Sequence, residues 1–423
     1  MPPSLPAIRR DHTAAWVAMS AAFITYCSMY AFRKPFTAGV YADLQLWGVD
    51  YKSILITAQV IGYMLSKFAG IQVVSEMPPG RRIRAILLLI GFSWISLLGF
   101  AVSPYPYHAI WMFLNGLPLG MIWGLVFSFL EGRRTTELLG AAMSVSFIVA
   151  SGMVKAAGRY VSAGLGASEF WMPFLTGLLF VPPLLLGLWM LARIAPPSAE
   201  DMAQRTQRTP MDRKQRAAFF RTFAPGIVLM VAVYVALTIF RDLRDNFAVE
   251  LWTLLGFAGS PQVLLTAELP IGAGVLIIIA LMIYIRDNRI ALYANLAIIA
   301  AGGGLLVLST FLYQRQLLSP AAWMILAGFA MYLPYVSFHT MLFERWIALF
   351  RYQSNIGFLM YTADAFGYLG SVGVLFLRHF GGSGQNWLTY IGSIAYLTGA
   401  AAVLLTLAGW AYFRQRAREL GLR

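Results

Sequence analysis

The chain is a succession of apolar stretches, each about 20 residues long, separated by short polar segments. Twenty helical residues rise ~30 Å, the thickness of a bilayer's hydrocarbon core. In lipid only a helix or a closed barrel satisfies its own backbone, so stretches of this length dictate membrane-spanning helices. They fall near 13–38, 51–74, 83–103, 107–130, 138–161, 170–194, 222–247, 261–285, 289–313, 321–343, 353–378 and 386–413, twelve in all. The composition agrees: 59% of the residues are hydrophobic and 12% charged, where a soluble domain is roughly a quarter charged. The expected fold is all-α, with twelve transmembrane helices. MPPSLPAIRRDH, ahead of the first stretch, offers no signal-peptide cleavage pattern, so that stretch is expected to remain as a helix. Cys27, the single cysteine, lies in an apolar run and excludes an intramolecular disulfide framework.

The cations set the topology. They gather in one alternating set of segments: Arg9 and Arg10, Arg81, Arg82 and Arg84, Arg133 and Arg134, 193–221, Arg286 and Arg289, Arg345 and Arg351, and the tail from Arg414. The other loops, such as YADLQLWGVD, SPYPYH and SAGLGASE, are nearly free of them. The positive-inside rule then puts both termini in the cytoplasm. The net charge of +14 is spread over these short loops, and no basic domain exists to form a nucleic-acid groove.

The longest hydrophilic segment, APPSAEDMAQRTQRTPMDRKQR, reads as a linker and divides the stretches six and six. The expected units are 1–194, a cytoplasmic linker 195–221, and 222–423. MYAFRKPF at the end of stretch one is echoed by LTIFRDLRDNF in stretch seven. Two pseudo-symmetric six-helix bundles with a central linker are the layout of the major facilitator superfamily. SEMPPGRRIR after stretch two resembles that superfamily's loop, with displaced spacing.

A short list of charges remains at membrane depth: Arg33, Lys34, Lys67, Lys155, Arg241 and Arg244, with Asp242, Asp245, Glu250, Glu268 and Asp364. A charge at the centre of a membrane helix costs at least ~2.5–3.5 kcal/mol, so such residues are usually paired or functional. Arg33, Lys34, Arg241 and Arg244 could instead snorkel to the outer interface. Against that, they oppose the topology signal and recur at corresponding places in both halves. A pseudo-two-fold axis would set Arg33 and Arg241 facing each other where transporter sites lie. Two guanidinium forks match the oxygens of phosphate or carboxylate, and a sugar or a cation would leave them uncompensated.

Tyr26, Tyr30 and Arg33 fall on one helix face by spacing, as do Tyr63 and Lys67. Tyrosine hydroxyls there would complete an oxyanion's hydrogen bonds, or they are ordinary membrane aromatics. Lys67 either contacts substrate or pairs with Asp364 across stretches two and eleven. Asp364 and Glu268 are proton carriers or permanent counter-ions. His339 is a packing residue or a proton relay, and Lys155 has only small neighbours in sequence. No metal-ligand spacing, nucleotide loop or hydrolase elbow occurs, so no cofactor, metal or enzymatic reaction is expected.

At these residues the sequence resembles the organophosphate:phosphate antiporters, the family of bacterial glycerol-3-phosphate and hexose-6-phosphate transporters. The resemblance rests on YCSMYAFRKPF, GYMLSKF, FRDLRDNF, AELPIG and FGYLG. It implies that Arg33 and Arg241 bind phosphate in a cavity lined by Tyr26, Tyr30, Tyr63 and Lys67. It further implies that Lys34 joins an inter-half salt-bridge cluster with Glu268 and a stretch-seven acid. That acid is displaced, since the aligned position is Asn246 and Asp245 precedes it. The family's stretch-five histidine has no counterpart in AAMSVSFIVASGMVKAAG, and Arg244 and Asp364 match nothing in it.

The expected protein is thus a secondary transporter of a small phosphorylated or similar anion, exchanging it for inorganic phosphate. It would act as a monomer in a bacterial inner membrane. The rivals are a proton-coupled organic-anion symporter using Glu268, Asp364 or His339, and a transporter-like anion sensor.

Overall fold

Each apolar stretch is helical in the computed structural model, which describes residues 5–74, 77–130, 136–194, 213–258, 260–282, 284–350, 352, 356–380 and 386–421. The first six crossings are Leu5–Tyr30, Tyr51–Val73, Arg82–Val102, the broken pair His108–Leu119 and Ile122–Phe127, Thr136–Leu165, and the pair Met172–Leu179 and Val181–Ala192. The second six are Arg213–Asn246, Val263–Thr266 with Glu268–Met282, Asn288–Gln314, Pro320–Ser337 with Phe343–Phe350, Ile356–Phe380 and Trp387–Glu419. They are numbered here as spans one to twelve. Among the described residues ten are long and apolar enough to cross a membrane, and span six, bent by 45°, is an eleventh when its two helices count as one span. In span one Thr25, Tyr26, Ser28 and Tyr30 are all buried in the bundle. Arg133, Arg134 and Arg351, residues 75 and 76 of the SEMPPGRRIR loop and residues 195–212 of the linker lie outside the described residues.

The expected linker 195–221 overlaps the first turns of span seven. The span-seven helix already begins at Arg213 and is kinked at Phe223 (φ −124°, ψ 18°). Pro225 lies two residues on; it removes an amide donor and crowds the carbonyl one turn back, so the helix bends there instead of starting there.

Packing repeats with an offset of six spans. Span one packs on five and six as seven packs on eleven and twelve, and two packs on four as eight packs on ten. The halves meet through spans two and eleven and through spans five and eight, pairs that the same offset exchanges. The interface is therefore itself pseudo-two-fold. Small residues set its depth and that of the adjoining contacts. A Cβ on Gly116 of span four would come within 2.1 Å of the Gln59 carbonyl oxygen on span two. A Cβ on Gly152 of span five would come within 2.0 Å of the Leu264 carbonyl oxygen on span eight. Backbone contact of this kind is how membrane helices gain packing energy where lipid already satisfies apolar surface.

With twelve crossings both chain ends lie on one face. The opposite, cation-poor face carries a two-stranded hairpin, Gln45–Leu46 against Val49–Asp50. Asp50 caps span two there, accepting from the Ser53 amide at 3.1 Å.

Candidate functional site

Arg33 stands where span one unwinds. Pro35 has no amide hydrogen, so the helix ends at Tyr30 and the chain continues through tight turns, with the Arg33 amide bonded to the Tyr30 carbonyl at 3.0 Å. A break at this depth exposes carbonyls that lipid cannot satisfy. Side chains do so: Asn115 Nδ2 donates to the Phe32 carbonyl and Gln59 Nε2 to that of Arg33, each at 2.9 Å. Asn115 is fixed in turn by Gln59 at 2.7 Å and by the Ser93 hydroxyl at 2.6 Å. All three are buried. The continuous helix face expected for Tyr26, Tyr30 and Arg33 is thus corrected: the tyrosines share it, and Arg33 lies beyond its end.

The break aims the Arg33 guanidinium onto Tyr63, with its carbon 3.7 Å from the ring centroid. Arg33 is 3% exposed, its Nε lacks a hydrogen-bond partner, and among the described residues no carboxylate pairs with it. Tyr26 and Tyr30 pack edge-on at 5.6 Å, both buried on span one.

Arg241 approaches from span seven. Its Nη2 donates to the Tyr368 hydroxyl at 2.9 Å and its Nη1 to that of Tyr335. Arg33 and Arg241 lie 5.8 and 5.2 Å from the Tyr368 ring centroid, and that ring meets Tyr63 at 4.7 Å. The two arginines therefore converge on Tyr368 at the interface of the halves. They are not equivalent. Asp242 Oδ1 accepts from Arg241 Nη2 at 2.8 Å and from Nε at 3.2 Å, so only Arg33 is left without an acid.

Lys67 bonds Asp364 Oδ2 at 2.7 Å, joining spans two and eleven. Asp364 Oδ1 accepts from the Tyr234 hydroxyl and faces His339 Nε2 at 3.7 Å. His339 lies in a π turn, Phe338–Leu342, which interrupts span ten, and its Nδ1 is 3.1 Å from the Tyr335 carbonyl oxygen. The Tyr234 and Tyr335 hydroxyls are 2.7 Å apart, so a line of polar contacts runs from Lys67 to Arg241.

Toward the cation-poor face a second cluster ties the halves. Lys34 Nζ is 2.5 Å from Asp245 Oδ2 and donates to Asn246 Oδ1 at 2.7 Å. Lys155 Nζ donates to Asp245 Oδ1 at 2.6 Å and to its carbonyl at 2.5 Å. Ser151 adds its hydroxyl to the same carboxylate. Lys155, unassigned from sequence, is thus a second cation on Asp245. Glu268 departs from the expected Lys34 cluster: it pairs with Arg244 at 2.8 Å inside the second half. Arg244 carries its fork toward span eight while Asp245, one residue on, turns toward the first half. Sequence reasoning misses Lys52, which forms an ion pair with Glu250 across the halves. It stands at the first turn of stretch two, where a lysine at a helix end passes for an interfacial charge. Gln59, Asn115 and Ser93 are missed as well, since an amide or hydroxyl in an apolar stretch carries no charge to mark it. Among the described residues no group of His, Cys, Asp or Glu could hold a metal ion.

Two six-helix bundles meeting at a pseudo-two-fold interface define the fold of the major facilitator superfamily. Solved structures agree. A D-xylose–proton symporter superposes with a TM-score of 0.63 at 16% identity, over 94% of this chain and 96% of that one. The proton:xylose symporter XylE of that superfamily, bound to 6-bromo-6-deoxy-D-glucose, gives 0.61 at 14% identity, over 95% of each chain. The chain belongs to DUF5690, a family of unknown function, which it matches over residues 35–416. A comparison with curated protein sequences gives no match.

Proposed function

We propose that the protein is a secondary transporter that moves a small organic anion by alternating access, with Arg33 and Arg241 holding the anionic head. The observation that carries this reading is Arg33: buried, without an acid, and turned toward Arg241 across the interface of the halves. A cation kept unpaired in such a place is costly unless a ligand neutralises it. A neutral sugar, such as the substrate in the xylose symporters' names, would not. Tyr63 and Lys67 flank the arginines, and Tyr26 and Tyr30 extend the polar surface along span one. The antiporter resemblance favours a phosphate-type head and exchange for inorganic phosphate. On this reading the units 1–194 and 222–423 rock about the site, both termini are cytoplasmic, and the membrane is a bacterial inner membrane. The pairs Lys34–Asp245, Lys155–Asp245 and Lys52–Glu250 close the outer side.

Exchange of labelled phosphate by purified protein in proteoliposomes tests this. Lysine at either arginine keeps the charge and loses the planar fork, so Arg33→Lys and Arg241→Lys should each slow exchange by about tenfold or more. Normal rates in both variants would sink this reading.

One observation favours a second reading, proton-coupled symport: Asp364 and His339 meet at Tyr234 in the centre of the bundle. Uptake that requires a proton gradient, and is lost in Asp364→Asn, would favour it. Exchange indifferent to the gradient would favour antiport.

A further inference from the structure

The centre of the molecule holds two neutral pairs and one surplus cation. Lys67 is matched by Asp364 at 2.7 Å and Arg241 by Asp242 at 2.8 Å. Arg33 rests on the faces of Tyr63 and Tyr368, which attract a cation without cancelling its charge. The two pairs differ in how completely they are used. Asp364 commits one oxygen to Lys67 and the other to Tyr234. Asp242 commits only Oδ1, and its buried Oδ2 has no partner. Arg33 Nε is likewise buried and unpartnered.

Asp242 also decides what Arg241 can offer. A guanidinium grips an oxyanion side-on through two parallel N–H groups. On Arg241 the Nε and Nη2 edge already faces Asp242 Oδ1, Nη2 also serves Tyr368, and Nη1 serves Tyr335. The chain therefore keeps its own carboxylate where a second negative charge of a ligand would sit.

Resting on the anion-transport reading above, we infer that the site is built for a singly charged anion, such as a phosphodiester or a phosphate monoester in its monoanionic form. The ligand brings one negative charge to Arg33. Asp242 supplies the charge that a dianion would otherwise carry to Arg241, and it repels a second charge on the ligand. The other surplus cation nearby belongs to the outer cluster, where Lys34 and Lys155 share Asp245 and both ammonium groups are held there by short bonds. It is not free to serve the centre while that face is closed.

Two probes separate the charge states: dimethyl phosphate, a monoanion at any working pH, and methyl phosphate, which at pH 8 lies well above its second pKa of about 6 and is a dianion. Their binding to the purified full-length protein is measured by calorimetry at pH 8. Dimethyl phosphate should bind wild type about tenfold more tightly. In Asp242→Asn the site gains a positive charge and the ratio should turn by about tenfold or more toward methyl phosphate. The extra methyl group is the same in both measurements, so the change in ratio reads charge alone. Asp242→Glu should keep the wild-type preference, which guards against a folding defect in the asparagine variant. Methyl phosphate bound as tightly as dimethyl phosphate by wild type, or a ratio unmoved in Asp242→Asn, would overturn the charge inference and leave the anion transporter standing. Failure of both probes to bind removes the anion reading, and the inference with it.

Discussion

At the scale of single residues, the charges in the bundle sort by whether their partner is built in. Lys67 and Asp364 are a buried, hydrogen-bonded pair, and removing one member of such a pair costs about 3–5 kcal/mol because the other is left charged and unmatched. Replacing both with apolar residues of similar volume is often nearly neutral. Lys67→Met and Asp364→Leu should therefore each lower thermal stability in detergent, and the double variant should recover most of the loss. If the recovered double variant still exchanges phosphate, the pair is a structural tie; if it is stable and inactive, at least one of the two serves transport itself. No recovery in the double variant would mean the two do not act as one pair. Most of these residues are legible in the sequence, because a lysine or an acid in an apolar stretch is conspicuous. Their partners are harder to read. The spacing of Arg33 and Arg241 says that they correspond, but not that Asp242 folds back on its neighbour, nor that Arg244 rather than Lys34 takes Glu268. Adjacent residues on a helix point about 100° apart, so small rotations of span seven decide such pairings.

At the scale of elements, the breaks matter more than the helices. Span one stops at Tyr30 because of Pro35, span seven kinks before Pro225, and span ten passes through a π turn at His339. The breaks in spans one and ten bring Arg33 and His339 to the centre. Helix existence follows from hydropathy, which is why the twelve stretches reappear as helices, while ends such as Tyr30 of span one and Arg213 of span seven do not. The breaks do not, since hydropathy averages over the residues that make them. Close approach is just as hidden from hydropathy. Gly152 lets span five touch the backbone of span eight beside the Lys155–Asp245 pair. An alanine methyl there would meet the Leu264 carbonyl oxygen at 2.0 Å, which cannot be accommodated without separation of the helices. Gly152→Ala should therefore loosen the cation-poor face. A cysteine placed at Leu264, which is buried, should react with a water-soluble maleimide several-fold faster in that background. Unchanged labelling would show that the two helices do not hold that face shut.

At the scale of the whole molecule, the ion pairs that bridge the halves at the cation-poor face carry charges of one sign on each side. Lys34, Lys52 and Lys155 all belong to the first half, and Asp245 and Glu250 to the second. The halves are thus drawn together by attraction, with one cation in excess on Asp245. That arrangement predicts opposite outcomes for two substitutions in the same cluster. In Asp245→Asn, Lys34 and Lys155 face each other with no acid between them, and both are almost fully buried. Loss of the shared carboxylate costs the closed state about 3–5 kcal/mol, enough to move a two-state equilibrium by roughly 100-fold or more toward the state open on that face. In Lys155→Met the surplus cation disappears while Lys34 keeps Asp245, so the closed state should gain. Spin labels at Trp47 and Leu254, exposed positions on that face in the first and second halves, report the separation when Cys27 is replaced by alanine. The distance distribution should shift to longer values in Asp245→Asn and narrow toward the shortest population in Lys155→Met. Equal distributions in both variants would mean that packing, not charge, sets the state of the gate. The same shift in both would mean that Lys155 is a tie rather than a surplus.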